Sequence, residues 1–381
     1  MFGTGLTKDL VAAKGKLAST RTVGLMAEAF VYAELSQYVP AIRQQSGYGD
    51  ADRLLDAPTN EAWIDPWLSY LKSIGVKFVT GYGVSKLHVE RGRIVGAQVT
   101  SVAGRRKVEK VIADWYVAAM PVEKARLLFD EPIRMAAPEL ALLDKLTVDY
   151  MNGIQFFLNR LPSERIHGHV AFLGSPWALT SIDQGLFWKR NIAKQYGDGK
   201  VTDVYSVDIS DFNTPGILYG KPAVDCTPQQ IANETWAQMK QALNTSGIQV
   251  LADDMLESWF LDPGIVYPKG GGPAVSTEPL LINTAGSLDD RPDSTTSIPN
   301  LFLAADYVRV NVDLATMEGA NEAGRQAANA ILAASGSRAQ PASLGKLWQP
   351  AELNGIRDID AQRYNAGQPN LLDIIPSNVP L

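Results

Sequence analysis

The chain has 381 residues, of which 46% are hydrophobic and 20% charged, so it can bury a sizeable core in about two domains. Its 35 basic and 41 acidic residues give a formal net charge of −6, which argues against nucleic acid or an anionic membrane as a bulk electrostatic partner. The single cysteine, Cys226, excludes an internal disulfide and is typical of a reducing cytoplasm.

Membrane and export signals are also missing from the sequence. No apolar run reaches the roughly 18 residues of a membrane-spanning helix, and residues 1–5 begin no apolar signal segment. The sequence therefore predicts a cytoplasmic protein without a transmembrane segment, and it leaves peripheral contact with a membrane open.

The first predicted elements are helices. Apolar side chains at helical spacing predict helices within residues 5–38. Asp65 as N-cap and Pro66 as first helical residue predict a further helix that ends at Gly75.

Alternating and β-branched residues then predict a small antiparallel sheet. A hairpin turn at 90–93 joins its two longest strands, and an apolar strand at 115–119 follows the sheet. The predicted strands of the sheet are 76–80, 84–89, 94–102 and 105–112.

The middle of the chain alternates strand and helix signals. Residues 168–188 mix β-branched and aromatic residues, as strands under an apolar pocket do. Thr227 and Gln230 form a capping box that opens a helix to about Leu243. The glycine- and proline-rich stretch 264–279 predicts a flexible turn rather than a phosphate-binding loop, because no helix follows it.

The most informative stretch is a strand, a loop and a helix within residues 298–336. An apolar run at 301–305 predicts a buried parallel strand, and Asp306 stands at its carboxyl end, where open α/β sheets bind ligands. After a loop, Ala-Thr-Met-Glu-Gly-Ala at 315–320 opens a helix that Gly336 ends. The small residues of this helix let it lie close to a ligand, and its first turn offers free N–H groups.

This stretch resembles the C-terminal flavin-binding segment of the amine oxidase and phytoene desaturase superfamily of FAD enzymes. Asp306 and residues 315–320 match the family motif, whereas Ala305 departs from the glycine usual there. The resemblance implies FAD as cofactor, an acid that hydrogen-bonds its ribityl–phosphate part, and a helix opening whose backbone meets the isoalloxazine ring. The cofactor-binding residues implied here are Asp306, Thr316, Met317, Glu318, Gly319 and Ala320.

Two weaker matches extend this resemblance. The antiparallel sheet resembles the family's crossover insert, in which Val84 would set its backbone against adenine. Ala119 lies on a strand that resembles the one returning to the main sheet near the cofactor. For Val84, a plain buried strand valine is an alternative that the sequence leaves open.

Residues 56–76 and 168–188 resemble the bacterial phytoene-desaturase and hydroxysqualene-dehydroxylase-like branch of the superfamily. That branch implies an apolar, isoprenoid-like small molecule as substrate. Trp177, Trp188 and Trp259 are candidates for the wall of its pocket. Large aromatic side chains are more often plain core residues, and this alternative stays open.

FAD enzymes of this kind open with a strand, a G-x-G-x-x-G turn and a helix that together hold the pyrophosphate. The sequence given supplies no such unit, because Gly3 and Gly5 follow no strand and the run at Gly81 and Gly83 reaches Lys86 where glycine is required. We therefore expect a C-terminal portion of an enzyme. It is either a fragment or a split subunit that needs a second polypeptide carrying the missing unit.

No other group of residues predicts a reaction centre. His167 and His169 could begin a metal site, but no third ligand lies nearby in the sequence, so we expect no metal. No catalytic acid or base is predicted, because hydride transfer to a flavin in an apolar pocket needs few titratable groups.

The predicted fold is a mixed α/β and α+β chain, with an incomplete Rossmann-like FAD-binding domain and a substrate domain of antiparallel sheet and helices. The resemblance implies a flavin-dependent oxidoreductase that removes a hydride from a C–H or C–N bond. Two alternatives are a non-catalytic or partner-dependent module unable to hold FAD alone and a non-redox flavoenzyme. The predicted boundaries are 1–75 for the helical part of the substrate domain, 76–130 for an FAD-domain segment with an antiparallel insert, 131–297 for the substrate domain, 298–336 for the C-terminal FAD-binding segment and 337–381 for a C-terminal extension with little periodicity.

Overall fold

The computed structural model describes residues 17–46, 54–102, 107–244, 247–369 and 371. These residues fall into two compact units, the first within Met1–Gly24 and Asp52–Gly345 and the second within Leu25–Ala51 and Lys346–Leu381. The first unit mixes helices with mainly antiparallel sheets, which confirms the predicted fold class.

The strands all lie in the first unit. They are β1 (Tyr82–Glu90), β2 (Arg93–Ser101), β3 (Val108–Val111), β4 (Tyr116–Ala118), β5 (Thr147–Asp149), β6 (Asn152–Leu158), β7 (His169–Ala171), β8 (Leu179–Asp183), β9 (Asp203–Ile209), β10 (Leu256–Leu261), β11 (Ile265–Val266), β12 (Val275–Ser276), β13 (Leu280–Ile282) and β14 (Leu301–Leu303).

The helices occur in both units. They are α1 (Thr20–Tyr38), α2 (Pro40–Ser46), α3 (Asp65–Ser73), α4 (Val122–Leu128), α5 (Glu131–Ala136), α6 (Ile192–Gln195), α7 (Pro228–Leu243), α8 (Met317–Ala334) and α9 (Asn354–Asn365). A π-helical turn (Asn60–Ile64) precedes α3, and short 3₁₀ segments occur at Pro138–Lys145, Gln184–Leu186, Ala223–Asp225, Asp253–Met255 and Ala351–Leu353.

The predicted antiparallel sheet forms from β1, β2 and β3. Its hairpin turn holds Arg91 at φ 49° and Gly92 at φ 73°, the two left-handed residues that a type I′ turn needs. Leu87, Ile94 and Ala97 bury one face of the hairpin in a first core cluster. The hairpin prediction is therefore confirmed.

A five-stranded antiparallel sheet, in the order β10-β6-β9-β8-β7, forms the second centre of the fold. Along β6 every second residue is buried, so Ile154, Phe156 and Leu158 enter a second core cluster. Helix α7 packs on this face, with the rings of Phe156 and Trp236 at 5.1 Å. Its capping box between Thr227 and Gln230 is present, as predicted.

In the described part of the chain, β4 and β14 form a parallel sheet of two strands. The pair belongs to the first core cluster, together with Val122 of α4 and Ala323 of α8. Parallel strands need a crossover between them, and here residues 119–300, which include the five-stranded sheet, lie between β4 and β14 in sequence.

Several sequence predictions are corrected. Residues 76–80 form no strand, and their apolar side chains Val76, Phe78 and Val79 are exposed, so no hydrophobic face fixes them in a sheet. Asp65 is the first residue of α3 rather than its N-cap, because the π-helical turn leads directly into the helix.

The stretch 264–279 is also more ordered than predicted, because β11 and β12 pair within it. The helix predicted within 5–38 begins at Thr20 among the described residues, and its part at 5–16 lies outside them.

The second unit contains most of α1, together with α2 and α9. Tyr32 and Trp348 meet edge to face with ring centroids 4.9 Å apart, and Arg357 bonds Glu28 at 3.4 Å. Helix α9 was not predicted, because its sequence is polar and shows no apolar stripe. None of the helices that the structure describes is long and apolar enough to span a bilayer.

Candidate functional site

The carboxyl ends of β4 and β14 lie side by side. Ala118 stands opposite Leu303, and the Ala304 amide donates to the Ala118 carbonyl at 3.0 Å. Residues 119–123 and 304–320 therefore leave the sheet at one edge, which we call the strand-end edge. Ligands of open α/β sheets bind at such an edge.

Asp306 lies at the strand-end edge, a short way beyond β14, which ends at Leu303 rather than at the predicted Ala305. Burial raises the pKa of the Asp306 carboxyl, and the charge of Arg291 opposes that rise. The next residue, Tyr307, is fully buried, and its hydroxyl has no hydrogen-bond partner among the described residues. Burial, and then the charge of Asp306, raise the pKa of that hydroxyl. Buried polar atoms without a partner are uncommon, so they mark a place where a ligand can complete the bonding.

Glu123 brings a second carboxyl group to the strand-end edge. It lies in the first turn of α4, two residues after the cap residue Pro121. Its Oε2 atom is buried and has no partner among the residues described. Burial is the main cause that raises the pKa of Glu123, and the charge of Asp306 adds to it. Sequence reasoning missed this residue, because an acid in a first helical turn is ordinarily a partner of the helix dipole.

A buried arginine ties the strand end to the loop that follows. Arg291 donates from Nη2 to the Asp306 carbonyl at 2.6 Å and from Nη1 to the Asp313 carboxylate at 3.0 Å. Asp313 also accepts hydrogen bonds from Arg21 and from the Thr22 hydroxyl. Asp313 has a φ of 49°, a value that is uncommon for residues other than glycine. These hydrogen bonds stabilise that backbone conformation. None of these contacts has a local sequence signal, because the partners are far apart along the chain.

Glu322 of α8 fixes the same loop from the other side. Its buried carboxylate accepts hydrogen bonds from the Asn311 amide at 2.9 Å, from the Asn311 side chain at 2.6 Å and from the Val312 amide at 3.4 Å. The loop between strand and helix is thus held by an ion pair on one side and by charge-assisted hydrogen bonds on the other. Its shape is fixed without a ligand.

The first turn of α8 is capped by Thr316, whose hydroxyl accepts from the Gly319 amide at 3.1 Å. Gly319 is buried, and a Cβ there would lie 2.7 Å from the Leu314 carbonyl oxygen. Glycine is therefore needed for the loop to pack against the helix. Met317 and Glu318 are exposed and Ala320 is partly buried, so the helix mouth presents an accessible surface.

The structure brings some of the remaining candidates to this edge and leaves others elsewhere. Ala119 is exposed directly after β4, at the strand-end edge. Val84 lies on β1 opposite Val99, and 47% of its surface is exposed, so it is not the buried strand valine of the alternative interpretation.

The three tryptophans proposed for a pocket wall do not converge. Trp177 has no exposed surface and donates from its ring to the Thr214 carbonyl at 3.0 Å, so it is a core residue. Trp259 packs against the second core cluster, and Trp188 lies against Tyr196 at 5.6 Å.

A different surface of the five-stranded sheet is open. On the face opposite the second core cluster, five residues are successive neighbours across the strands: Phe260, Gln155, Ser206, Ile182 and His169. Phe260 is 56% exposed and Ile182 is partly buried. We call this row the open sheet face.

The strand-end edge fits the ring and ribityl parts of the expected flavin. It offers two carboxyl groups, a buried hydroxyl and an accessible helix mouth. One carboxylate oxygen and the hydroxyl are buried and have no partner in the part of the chain that the structure describes. For the pyrophosphate, residues 54–102 and 107–369, insofar as they are described, contain no glycine-rich turn between a strand and a helix. The edge therefore fits one half of the cofactor.

Metal chemistry has no candidate site here. Among the described residues, no group of three histidine, cysteine or acidic side chains could hold an ion. His167 packs against Phe187 at 6.3 Å, and His169 belongs to the open sheet face.

Comparison with known proteins gives a family match over most of the first unit. The family model for flavin containing amine oxidoreductases matches residues 68–332. Zeta-carotene desaturase from Synechocystis sp. is 26% identical over 301 residues, covering 74% of this chain and 54% of that protein. 15-cis-phytoene desaturase from Synechococcus elongatus is 27% identical over 246 residues, covering 62% of this chain and 44% of that protein. The chain thus spans about half the length of the curated relatives it matches.

Among solved structures, an oxidoreductase from Methanosarcina mazei is 13% identical, with a TM-score of 0.44 over 84% of this chain and 61% of that chain. The evidence for membership is therefore the family model, whose match includes Val84, Ala119, Asp306 and the mouth of α8. On that match, the chain belongs to the flavin containing amine oxidoreductases, and its cofactor is FAD.

Proposed function

We propose that this chain carries the flavin-ring half of an oxidoreductase that dehydrogenates an apolar, isoprenoid-like small molecule. The observation that carries the proposal is the strand-end edge, where Asp306 follows β14, Glu123 follows β4 and their charges interact, with one loop leading from Asp306 to the mouth of α8. The two desaturases named above, whose names refer to carotene and phytoene, support the substrate class.

FAD, when bound, supplies the acceptor for a hydride. The residues of this chain bind and orient it. Asp306 accepts hydrogen bonds from the ribityl part, and the small residues Gly319 and Ala320 allow the ring to approach. The loop held by Arg291 and Glu322 keeps Asp306 and the start of α8 in position. No side chain of the chain is assigned a proton-transfer role.

For the substrate, we propose that the open sheet face contributes to its binding surface. Phe260 and Ile182 give this face apolar area, and Gln155 and Ser206 give it two polar positions. A surface that is mainly apolar with a few polar groups suits a lipophilic molecule. Trp177 and Trp259 pack with the second core cluster instead, and Trp188 packs against Tyr196.

We further propose that a separate segment of polypeptide supplies the dinucleotide-binding unit. Two observations support this. β4 and β14 make a parallel sheet of two strands in the described residues, although parallel sheets are ordinarily larger and covered on both faces. On β4, Val117 is 44% exposed between the buried Tyr116 and Ala118, so an apolar residue faces outward at this strand.

The test measures flavin content. We expect the purified chain to show little visible flavin absorption, because the pyrophosphate contacts are charge-assisted hydrogen bonds worth about 1.5–3 kcal/mol each. Stoichiometric flavin in the chain alone would refute the need for a second segment.

The activity is tested on the chain co-purified with the polypeptide that supplies the dinucleotide-binding unit. Under anaerobic conditions, addition of an apolar isoprenoid should bleach the flavin absorption. A flavin-loaded complex that no such compound bleaches would contradict the oxidoreductase and favour the partner-dependent module. Turnover without an electron acceptor would favour the non-redox flavoenzyme.

A further inference from the structure

We propose that Glu123 is a second carboxylate of the flavin site, which accepts a hydrogen bond from a hydroxyl group of the ribityl chain. The proposal rests on the function proposed above and adds a contact from a different strand. Asp306 would bind the ribityl chain from the end of β14, and Glu123 would bind it from the end of β4.

The topology sets the two carboxyl groups at one edge. β4 and β14 are parallel and in register, with Ala118 opposite Leu303, so the residues after each strand leave on the same side. Glu123 follows β4 by one short turn through Pro121, and it is close enough to Asp306 for the two charges to interact. A ligand lying along this edge meets both groups.

The bonding of Glu123 is incomplete in the protein itself. Its Oε2 atom is buried and has no partner among the described residues. The two basic residues beside it are engaged elsewhere, since Lys124 donates to the Thr277 carbonyl at 2.9 Å and Arg126 to the Leu143 carbonyl at 2.9 Å. Arg126 also donates to the Leu146 carbonyl. An ion pair within the protein therefore does not account for this carboxyl group.

The chemistry of the edge selects the class of ligand. Ionised carboxylates only accept hydrogen bonds, and two of them repel an anionic group such as a phosphate. A polyol chain supplies neutral hydroxyl donors, and the ribityl chain is the polyol of FAD. Tyr307, which follows Asp306 directly, has a buried hydroxyl without a partner among the described residues.

A ligand-binding role predicts an unusual effect on stability. A buried carboxylate oxygen without a partner destabilises the ligand-free protein, because it has lost water and gained no bond. Glu123→Gln keeps the shape and removes the charge next to Asp306. We expect it to raise the melting temperature of the ligand-free chain, whereas a residue with a purely structural role would lower it.

The binding test uses two probes on the full chain, riboflavin, which has the ribityl chain, and lumiflavin, which lacks it. Quenching of flavin fluorescence gives both dissociation constants. We expect Glu123→Gln to weaken riboflavin binding by roughly tenfold or more, the effect of losing a hydrogen bond to a charged group, and to leave lumiflavin binding unchanged. Glu131→Gln, an exposed acid in the first turn of the next helix, is the matched control and should change neither.

Each other outcome has a definite meaning. Unchanged riboflavin binding in Glu123→Gln would overturn this assignment and leave the proposed function standing. An equal loss of affinity for both probes would show that Glu123 contacts the flavin ring instead of the ribityl chain. A lower melting temperature would show that its role is structural. If the wild-type chain bound neither probe even when complemented with the polypeptide that supplies the dinucleotide-binding unit, the flavin site of the proposed function would itself be wrong.

Discussion

At the scale of single residues, Arg291 is the residue on which the shape of the candidate site depends most. Its guanidinium is buried and joins the Asp306 carbonyl to the Asp313 carboxylate. Removing one partner of a buried pair leaves the other charge without compensation, which costs about 3–5 kcal/mol. Because Arg21 still contacts Asp313, we expect the loss to be near the lower end of this range. Urea unfolding should show that Arg291→Gln lowers the free energy of unfolding by about 3 kcal/mol.

The control for this variant is Arg93→Gln, on the exposed turn of the hairpin, which should change the unfolding free energy by less than about 0.5 kcal/mol. Equal and small effects of both variants would show that the Asp306–Asp313 connection does not depend on Arg291.

A second prediction at this scale concerns pH. Asp203 and Asp183 are buried and share the Arg165 guanidinium, with Arg165 Nη2 at 2.8 Å from Asp203 and 2.6 Å from Asp183. Burial, and then the charge of Asp183, raise the pKa of Asp203 to about 7. The folded protein therefore retains a proton that the unfolded chain has already released, so its stability falls as the pH rises from about 4 to about 7 and then levels off.

Asp203→Asn should flatten this part of the pH profile. The substitution removes a slope of at most about 1.4 kcal/mol per pH unit in the free energy of unfolding. Urea unfolding midpoints measured at several pH values give this slope. Parallel profiles for the variant and the wild type would contradict the raised pKa.

At the scale of elements, the packing of α8 on its preceding loop depends on one glycine of the helix and not on another. A Cβ at Gly319 would lie 2.7 Å from the Leu314 carbonyl, whereas a Cβ at Gly324 would meet nothing within 4 Å. Gly319→Ala should therefore destabilise the chain and displace the loop. Gly324→Ala should stabilise it by about 0.5–1 kcal/mol, because alanine restricts the unfolded chain and favours helix.

Thermal unfolding of both variants tests this difference between two positions of one helix. The larger Gly319→Val variant should also lower flavin occupancy in the complemented protein. If Gly319→Ala and Gly324→Ala shifted the melting temperature in the same direction, the loop would not depend on this contact.

The elements also show how far sequence reasoning reaches. The hairpin, the capping box of α7 and the strand–acid–loop–helix stretch were predictable, because each is encoded by residues close together in the chain. Arg291, Asp313 and Glu123 were not, because their roles arise when distant segments meet at the strand-end edge. Trp177 shows a further limit, since an aromatic residue type does not say whether its side chain lines a pocket or lies in the core.

At the scale of the whole molecule, the described fold contains a complete antiparallel sheet packed on α7 and a parallel sheet of only two strands. Each has its own hydrophobic core cluster. The antiparallel sheet can therefore fold from this chain, whereas the parallel pair presents the exposed Val117 at its outer strand. We expect addition of the polypeptide that supplies the dinucleotide-binding unit to protect Tyr116–Ala118 from amide hydrogen exchange. Unchanged exchange in a flavin-loaded complex would place the added segment elsewhere.

The most direct measurement is the ratio of flavin to protein in the complemented protein with and without the Asp306 carboxylate. Asp306→Ala, purified beside the wild type under the same conditions, should retain well under half of the wild-type flavin, because a hydrogen bond to a charged group is worth about 1.5–3 kcal/mol. Its circular dichroism should be unchanged. A variant that kept its full complement of flavin would show that the cofactor does not lie at the strand-end edge.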